Sequence, residues 1–251
     1  MDTFFLILFF LIGLIFGSFF NVVGLRLPKN KSFSKGRSHC TNCHKQLVWY
    51  ELIPVISYVF QHGRCRGCSG KISLIYPLIE VVTGLLFALS FYVFKFDIEF
   101  ITALLLISIL MIIFVTDLTY MIIPNKVMLF FLPFFIIIRI IQPLHPWWSS
   151  LLGAGIAFLL IAMIILISKG GMGGGDLKLF TLLGFILGIK QVMLIFLLSC
   201  LIGALLGVLL MALGKLKRKE PMPFGPFIVI ATLFTYFLGD FVINWYLDFF
   251  V

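Results

Sequence analysis

The sequence predicts an all-α, polytopic membrane protein of about eight transmembrane helices, with a small cytosolic zinc-binding insert between the first two. Three observations carry this. The 251 residues are 62% hydrophobic and only 12% charged, with a mean hydropathy of +1.18, which excludes a soluble globule. Apolar runs of about 17–25 residues recur along the chain, the length that a helix needs to cross a bilayer core. Four of the five cysteines fall in one short polar stretch. Backbone groups in hydrocarbon must pair within their own segment, so every span is expected to be helical.

The first span covers Thr3 to Leu25. Its only preceding charge is Asp2 and its apolar run exceeds a signal-peptide core, so it reads as a retained helix. Gly13, Gly17 and Asn21 recur every four residues and share one face, which suggests close helix packing. Further spans are expected at 74–94, 100–116, 127–141, 149–168, 177–189, 191–213 and 227–249. Leu177 to Leu213 is nearly continuous, broken by Gly188, Lys190 and Gln191, so one long tilted helix, giving seven spans, competes with two. The expected domains are the first helix (1–26), the insert (27–73) and a membrane domain (74–251).

With eight spans and the N-terminus outside, sixteen of the nineteen Lys and Arg residues fall inside, leaving Lys95, Arg139 and Lys190 at or near the outer ends. This is a strong positive-inside bias. It accounts for the net charge of +9 without invoking nucleic acid. Two spans separate Asp117 from Asp176, so both aspartates reach the cytoplasmic boundary on the same face.

The insert is too small to fold on an apolar core alone. It carries Cys40-x-x-Cys43 and Cys65-x-x-Cys68, 21 residues apart, the pattern of a four-thiolate zinc site. A redox or disulfide role is the alternative, disfavoured in the cytosol. A closed four-cysteine site leaves no open position, so the metal is expected to be architectural. His39, His44 and His62 read as bystanders, and Cys200 as a small buried packing residue.

Ionised carboxylates beside hydrocarbon need a reason to be there. Asp176 follows Gly170-Gly171-Met172-Gly173-Gly174-Gly175, and it could simply be a helix cap. Asp117 could equally mark where a span meets water. Together they suggest acid–base chemistry. The glycines serve no capping purpose; Gly173 and Gly175 allow unusual backbone angles and the close approach of an extended peptide. The run fails both G-x-G-x-x-G and G-x-x-x-x-G-K-[ST], so phosphate binding is not indicated. Glu80, two turns into the second span, is either stabilised by the helix N-terminus or functional.

These blocks resemble a known family. Gly171-Met172-Gly173-Gly174-Gly175-Asp176-Leu177-Lys178 resembles the GxGD signature of type IV prepilin peptidases, and Asp117 followed by Ile123-Pro124-Asn125 looks like the family's first catalytic aspartate. Gly17-Ser18-Phe19-Phe20-Asn21-Val22-Val23 with Arg26 and Pro28 is similar to its N-terminal block. The cysteine insert, with Ile72-Ser73, Tyr76-Pro77 and Glu80, resembles the bifunctional bacterial members, and Pro223-Phe224-Gly225-Pro226 another family block. The matches run in order along essentially the whole chain. At Trp49-Tyr50-Glu51-Leu52-Ile53-Pro54 the chain departs from the family, which more often has asparagine beside this acid.

The resemblance implies a bacterial cytoplasmic-membrane aspartic endopeptidase that removes basic leaders from prepilins or pseudopilins on the cytosolic face. Asp117 and Asp176 would share one proton, as two adjacent carboxylates do. Gly173, Gly174, Gly175 and Lys178 would position substrate. The resemblance also implies N-methylation of the new N-terminus with S-adenosylmethionine, with Arg26, Glu51 and Glu80 as associated residues and Cys40, Cys43, Cys65 and Cys68 as zinc ligands. A peptidase without methylation stays open. Two rivals come from other classes. One is a proton-coupled transporter, whose acids tend toward the bilayer midplane. The other is a zinc-bearing scaffold, which would tolerate loss of both aspartates.

Overall fold

A computed structural model of the chain describes residues 2–30, 37–40, 42–168, 171–215, 217 and 222–250. Gly170 lies outside the described residues, as do Lys31, Lys35, Lys169, Arg218 and Lys219 among the sixteen basic residues counted as inside.

The described chain is helical, its only extended pairing being two isolated bridges in the insert. In order come α1 (Asp2–Arg26), the short α2 (Ile56–Phe60), α3 (Ile75–Phe94), α4 (Ile98–Tyr120), α5 (Asn125–Ile141), α6 (Ser149–Ile167), α7 (Gly174–Leu187), α8 (Ile189–Ala212) and α9 (Gly225–Phe250). Among the described residues six helices are long and apolar enough to cross a membrane: α1, α3, α4, α6, α8 and α9. The 17 residues of α5 and 14 of α7 rise only about 25 and 21 Å. The uncertain stretch is two helices, because Gly188 turns the backbone to φ +82° between α7 and α8. The single long helix is thereby excluded.

Two compact units emerge, Met1–Val115 and Thr116–Val251. In the first, α1 and α3 pack antiparallel through their small residues. A Cβ on Gly13 would lie 2.7 Å from the Gly84 Cα, and one on Gly17 2.8 Å from the Glu80 Cα. Larger residues would force the helices apart, which is the physical content of the four-residue spacing. Asn21 continues this face and donates its side-chain N–H to the Tyr76 carbonyl at 3.2 Å.

In the second unit the α6 and α7 backbones touch where Gly153 meets Gly184. Arg139, 8% exposed, donates from Nε to the Ile186 carbonyl at 2.8 Å. That carbonyl belongs to the last turn of α7, where backbone acceptors have no partner in their own helix. A buried cation thus closes a helix terminus. Cys200 is exposed on α8, which corrects the expectation of a buried packing residue; α8 turns Val192, Ile195, Ser199, Gly203 and Gly207 inward instead.

Candidate active site and metal centre

Asp117 lies in the last turn of α4, and the chain leaves that helix at Met121, whose N–H donates to the Asp117 carbonyl at 2.8 Å. The Asp117 side chain is buried, and a buried carboxylate is costly without hydrogen bonds. Its Oδ2 accepts the backbone N–H of Gly225 at 2.8 Å. Gly225 opens α9, so its N–H has no acceptor within the helix and belongs to the positive end of the helix dipole. A Cβ on Gly225 would lie 2.7 Å from that same Oδ2, so no larger residue fits without moving the carboxylate.

Asp176 is likewise buried, in the first turn of α7. The sequence allowed it to be the cap residue. In the structure Gly173 is the cap and Asp176 stands three residues on, accepting the Gly173 N–H on Oδ2 at 3.1 Å. The expectation of unusual backbone angles in the glycine run is corrected too: Gly173 has φ −75° and ψ 145°, and the positive-φ glycines among the described residues are Gly63, Gly188 and Gly214. Close approach of another segment accounts for Gly175 alone among the three glycines before Asp176. A Cβ on Gly175 would press on Ile123 at 3.0 Å, whereas Gly174 faces open space. Lys178 donates to the Asn125 side-chain oxygen at 3.0 Å, joining α7 to the start of α5.

The two aspartates, 59 positions apart, are near enough for the charge of Asp117 to act on Asp176. Among the described residues each carboxylate has one backbone donor, which leaves its second oxygen for other partners. Gly225 was overlooked as a site residue by sequence reasoning, although the Pro223–Pro226 block that contains it had been noticed.

In the first unit the four thiols converge, with all sulfurs of Cys40, Cys43, Cys65 and Cys68 within 4.8 Å of one another. Cys40 to Cys68 and Cys43 to Cys65 are each 3.9 Å. A tetrahedral zinc with bonds of about 2.3 Å needs sulfurs about 3.8 Å apart, whereas a disulfide needs about 2.05 Å. The geometry fits a metal.

The two hooks are copies. Cys40 and Cys65 each donate a backbone N–H five residues on, to Lys45 and Gly70, at 2.9 Å. Their sulfurs accept N–H groups from Asn42 at 3.4 Å and Gly67 at 3.3 Å. The residues after the second cysteines, His44 and Ser69, take φ +57° and +56°. The Cys40 thiol is held down to about 6, chiefly by the backbone N–H groups of Cys43 and Asn42, and so favours the thiolate that binds metal. His39 bonds to the Arg37 carbonyl and supplies no ligand to the cluster.

Arg26, Glu51 and Glu80 each bond a different part of the insert backbone. Arg26 donates to the Arg37 carbonyl at 3.4 Å. Glu51 accepts the Val48 N–H at 3.0 Å and pairs with Lys45 at 3.4 Å, and the Val48 bond foremost holds its carboxyl below the usual range. Glu80 accepts the Val55 N–H at 2.7 Å and a hydrogen bond from Ser18. Val55 has φ +61°, a strained angle for a β-branched residue, and Glu80 holds it there.

Residues 11–94 match the Bacterial Peptidase A24 N-terminal domain, and residues 104–208 match the type IV leader peptidase family. A prepilin leader peptidase/N-methyltransferase of Bacillus subtilis is 43% identical over 238 residues, covering 95% of this chain and 96% of the relative. The chain belongs to the type IV leader peptidase family. Proteins of the same name from Vibrio cholerae and Aeromonas salmonicida are 33% and 32% identical over 94% and 95% of this chain, and 98% and 92% of their own lengths. No solved structure matches the chain. The two matched regions fall at residues 11–94, which hold the four clustered cysteines, and 104–208, which hold Asp117 and Asp176.

Proposed function

We infer that this chain is a membrane aspartic peptidase that cleaves the leader from prepilins or pseudopilins and N-methylates the new N-terminus. The burial of Asp117 and Asp176, near enough for the charge of one to act on the other, supports the first half, and the relatives' shared name supports both halves. The protein is a multi-pass membrane protein. The excess of basic residues on one side favours the bacterial cytoplasmic membrane, with the aspartates and the insert facing the cytosol. A basic leader is held on that side by the same rule, so the scissile bond comes to the level of the aspartates.

In the proposed mechanism the pair holds one proton between its two carboxyl groups. The ionised member takes a proton from water as the water oxygen attacks the scissile carbonyl carbon. The protonated member donates to the carbonyl oxygen. When the C–N bond breaks, the departing amine takes up a proton from the pair, and no acyl-enzyme forms. Gly225 and Gly173 keep one oxygen of each aspartate fixed, so the other oxygens face the water. Gly174 leaves room for the substrate backbone, while Gly175 and Lys178 hold α7 against Ile123 and Asn125.

In the proposed domain division the first helix (1–26) and the peptidase region (74–251) flank a methyltransferase-associated insert (27–73). Cys40, Cys43, Cys65 and Cys68 would hold a structural zinc, which supplies rigidity and no reaction step. S-adenosylmethionine supplies an electrophilic methyl group. An open cavity of the insert presents Arg64 and Lys71 and no carboxylate, which does not suit its sulfonium and ammonium charges, so no residue is assigned to it. Arg26, Glu51 and Glu80 are positioning residues for the insert in this proposal.

The decisive experiment co-expresses a prepilin with Asp117→Asn or Asp176→Asn and follows precursor length. Cleavage is expected to fall by about 1,000-fold or more in each, the scale of acid–base participation. Processing by either variant at near wild-type rate would remove the shared-proton mechanism.

A further inference from the structure

The cavity that does not suit the cofactor has a chemistry of its own. It measures about 490 Å³ and is walled by Tyr58, His62, Arg64, Lys71, Ser73 and Leu74. Arg64 and Lys71 are partners in an antiparallel bridge, so two cations stand directly opposite each other. Like charges in that arrangement repel. Among the described residues neither has an acidic partner, and no carboxylate lines the cavity. Both side chains are exposed, so water and salt screen the repulsion in part, and a bound anion would relieve it further.

The surroundings indicate where that anion comes from. Ser73 and Leu74 directly precede α3, a helix long enough to cross the membrane, so a bilayer crossed by α3 would bring its headgroups to the mouth of the cavity. Leu74 is 69% exposed. The opposite wall is Tyr58 of α2, whose neighbours Ile56, Val59 and Phe60 are 51%, 63% and 73% exposed. Three outward apolar side chains in one short helix of a polar insert mark a contact surface. Tyrosine beside them is the residue type that settles at a membrane interface.

We propose that this cavity binds the phosphate of an acidic phospholipid, with Arg64 and Lys71 as its ligands and Ile56, Val59 and Phe60 entering the leaflet beside it. Tyr58 and Ser73 add hydroxyl donors for the remaining headgroup oxygens. The insert is thereby held at the membrane surface, close to the span it precedes. A basic leader peptide is excluded from this cavity by charge.

The test uses the purified full-length protein taken from bilayers of equal phosphatidylglycerol and phosphatidylcholine, with retained lipids counted by native mass spectrometry. Wild type is expected to retain phosphatidylglycerol preferentially. Arg64→Gln with Lys71→Gln is expected to lower that preference by about thirtyfold, from a gain of about 1 kcal/mol per basic residue. Lys190→Gln with Lys215→Gln removes the same charge elsewhere and is expected to leave the preference intact. Metal content, measured on the same samples, shows that the insert remains folded. Equal retention of the two lipids by wild type, or undiminished preference in the Arg64/Lys71 variant, overturns the proposal. Displacement of the lipid by an equal concentration of soluble glycerol phosphate overturns it too, and makes the cavity a site for free phosphate.

Discussion

Four buried acids divide into two kinds, and the division follows the two units. Glu51 and Glu80 in the first unit each accept an insert backbone N–H and hold a second side-chain partner, Lys45 or Ser18. Asp117 and Asp176 in the second each accept one N–H at a helix N-terminus and have no second partner among the described residues. All four are less than 9% exposed. Burial alone therefore does not mark a reacting carboxylate. What distinguishes the aspartates is the oxygen left over and the nearness of another acid.

The comparison can be broken most severely at the metal. Cys40→Ser with Cys65→Ser is expected to abolish binding of about one zinc per chain, because a small metal domain folds with its ion. Methylation, read by mass spectrometry of the mature N-terminus, should then be lost while leader cleavage persists. Equal loss of both activities would show that the units do not divide the work.

A smaller effect is expected at Gly225→Ala. The added methyl must push Asp117 aside, and a displacement of about 1 Å at a reacting group costs about 100-fold in rate. Cleavage should fall on that scale, with methylation of an already cleaved pilin unchanged. A fully active Gly225→Ala enzyme would show that Asp117 needs no such anchor.

The subtlest test separates a holding carboxylate from a reacting one. Glu80→Gln keeps an oxygen that can accept the Val55 N–H, so methylation should stay within about threefold of wild type. Glu80→Ala leaves that N–H unpaired and should cost about tenfold or more. If Gln is as damaging as Ala, the charge of Glu80 matters in its own right and the contrast between the two kinds of acid narrows.

Much of this was legible in the residues. The helical spans followed from apolar runs that have one backbone solution in lipid. The four-residue spacing of Gly13, Gly17 and Asn21 marked the face that α3 covers. The paired CxxC hooks marked four thiols that converge, and the ends of the apolar runs marked two aspartates that are buried. Other features were hidden for specific reasons. The glycine run looked conformational and at Gly175 proved steric, because sequence gives the permitted angles of a glycine but not what its missing side chain would strike. Gly225 was passed over because its donor is a backbone N–H, which every residue but proline possesses. Arg26, Glu51 and Glu80 read as residues associated with methylation, and the backbone groups they hold could not be read from the sequence.

Composition, period and motif spacing by themselves determined the membrane class and singled out the four cysteines that converge and the two aspartates that are buried. These depend on local chemistry: the solvent a segment can tolerate and the atoms it carries. Only the tertiary structure decided that α9 begins against Asp117, that Gly188 separates α7 from α8, and that Glu80 holds Val55. Each of those rests on groups distant in the chain meeting within hydrogen-bond or van der Waals reach, and such meetings are set by packing of the whole fold.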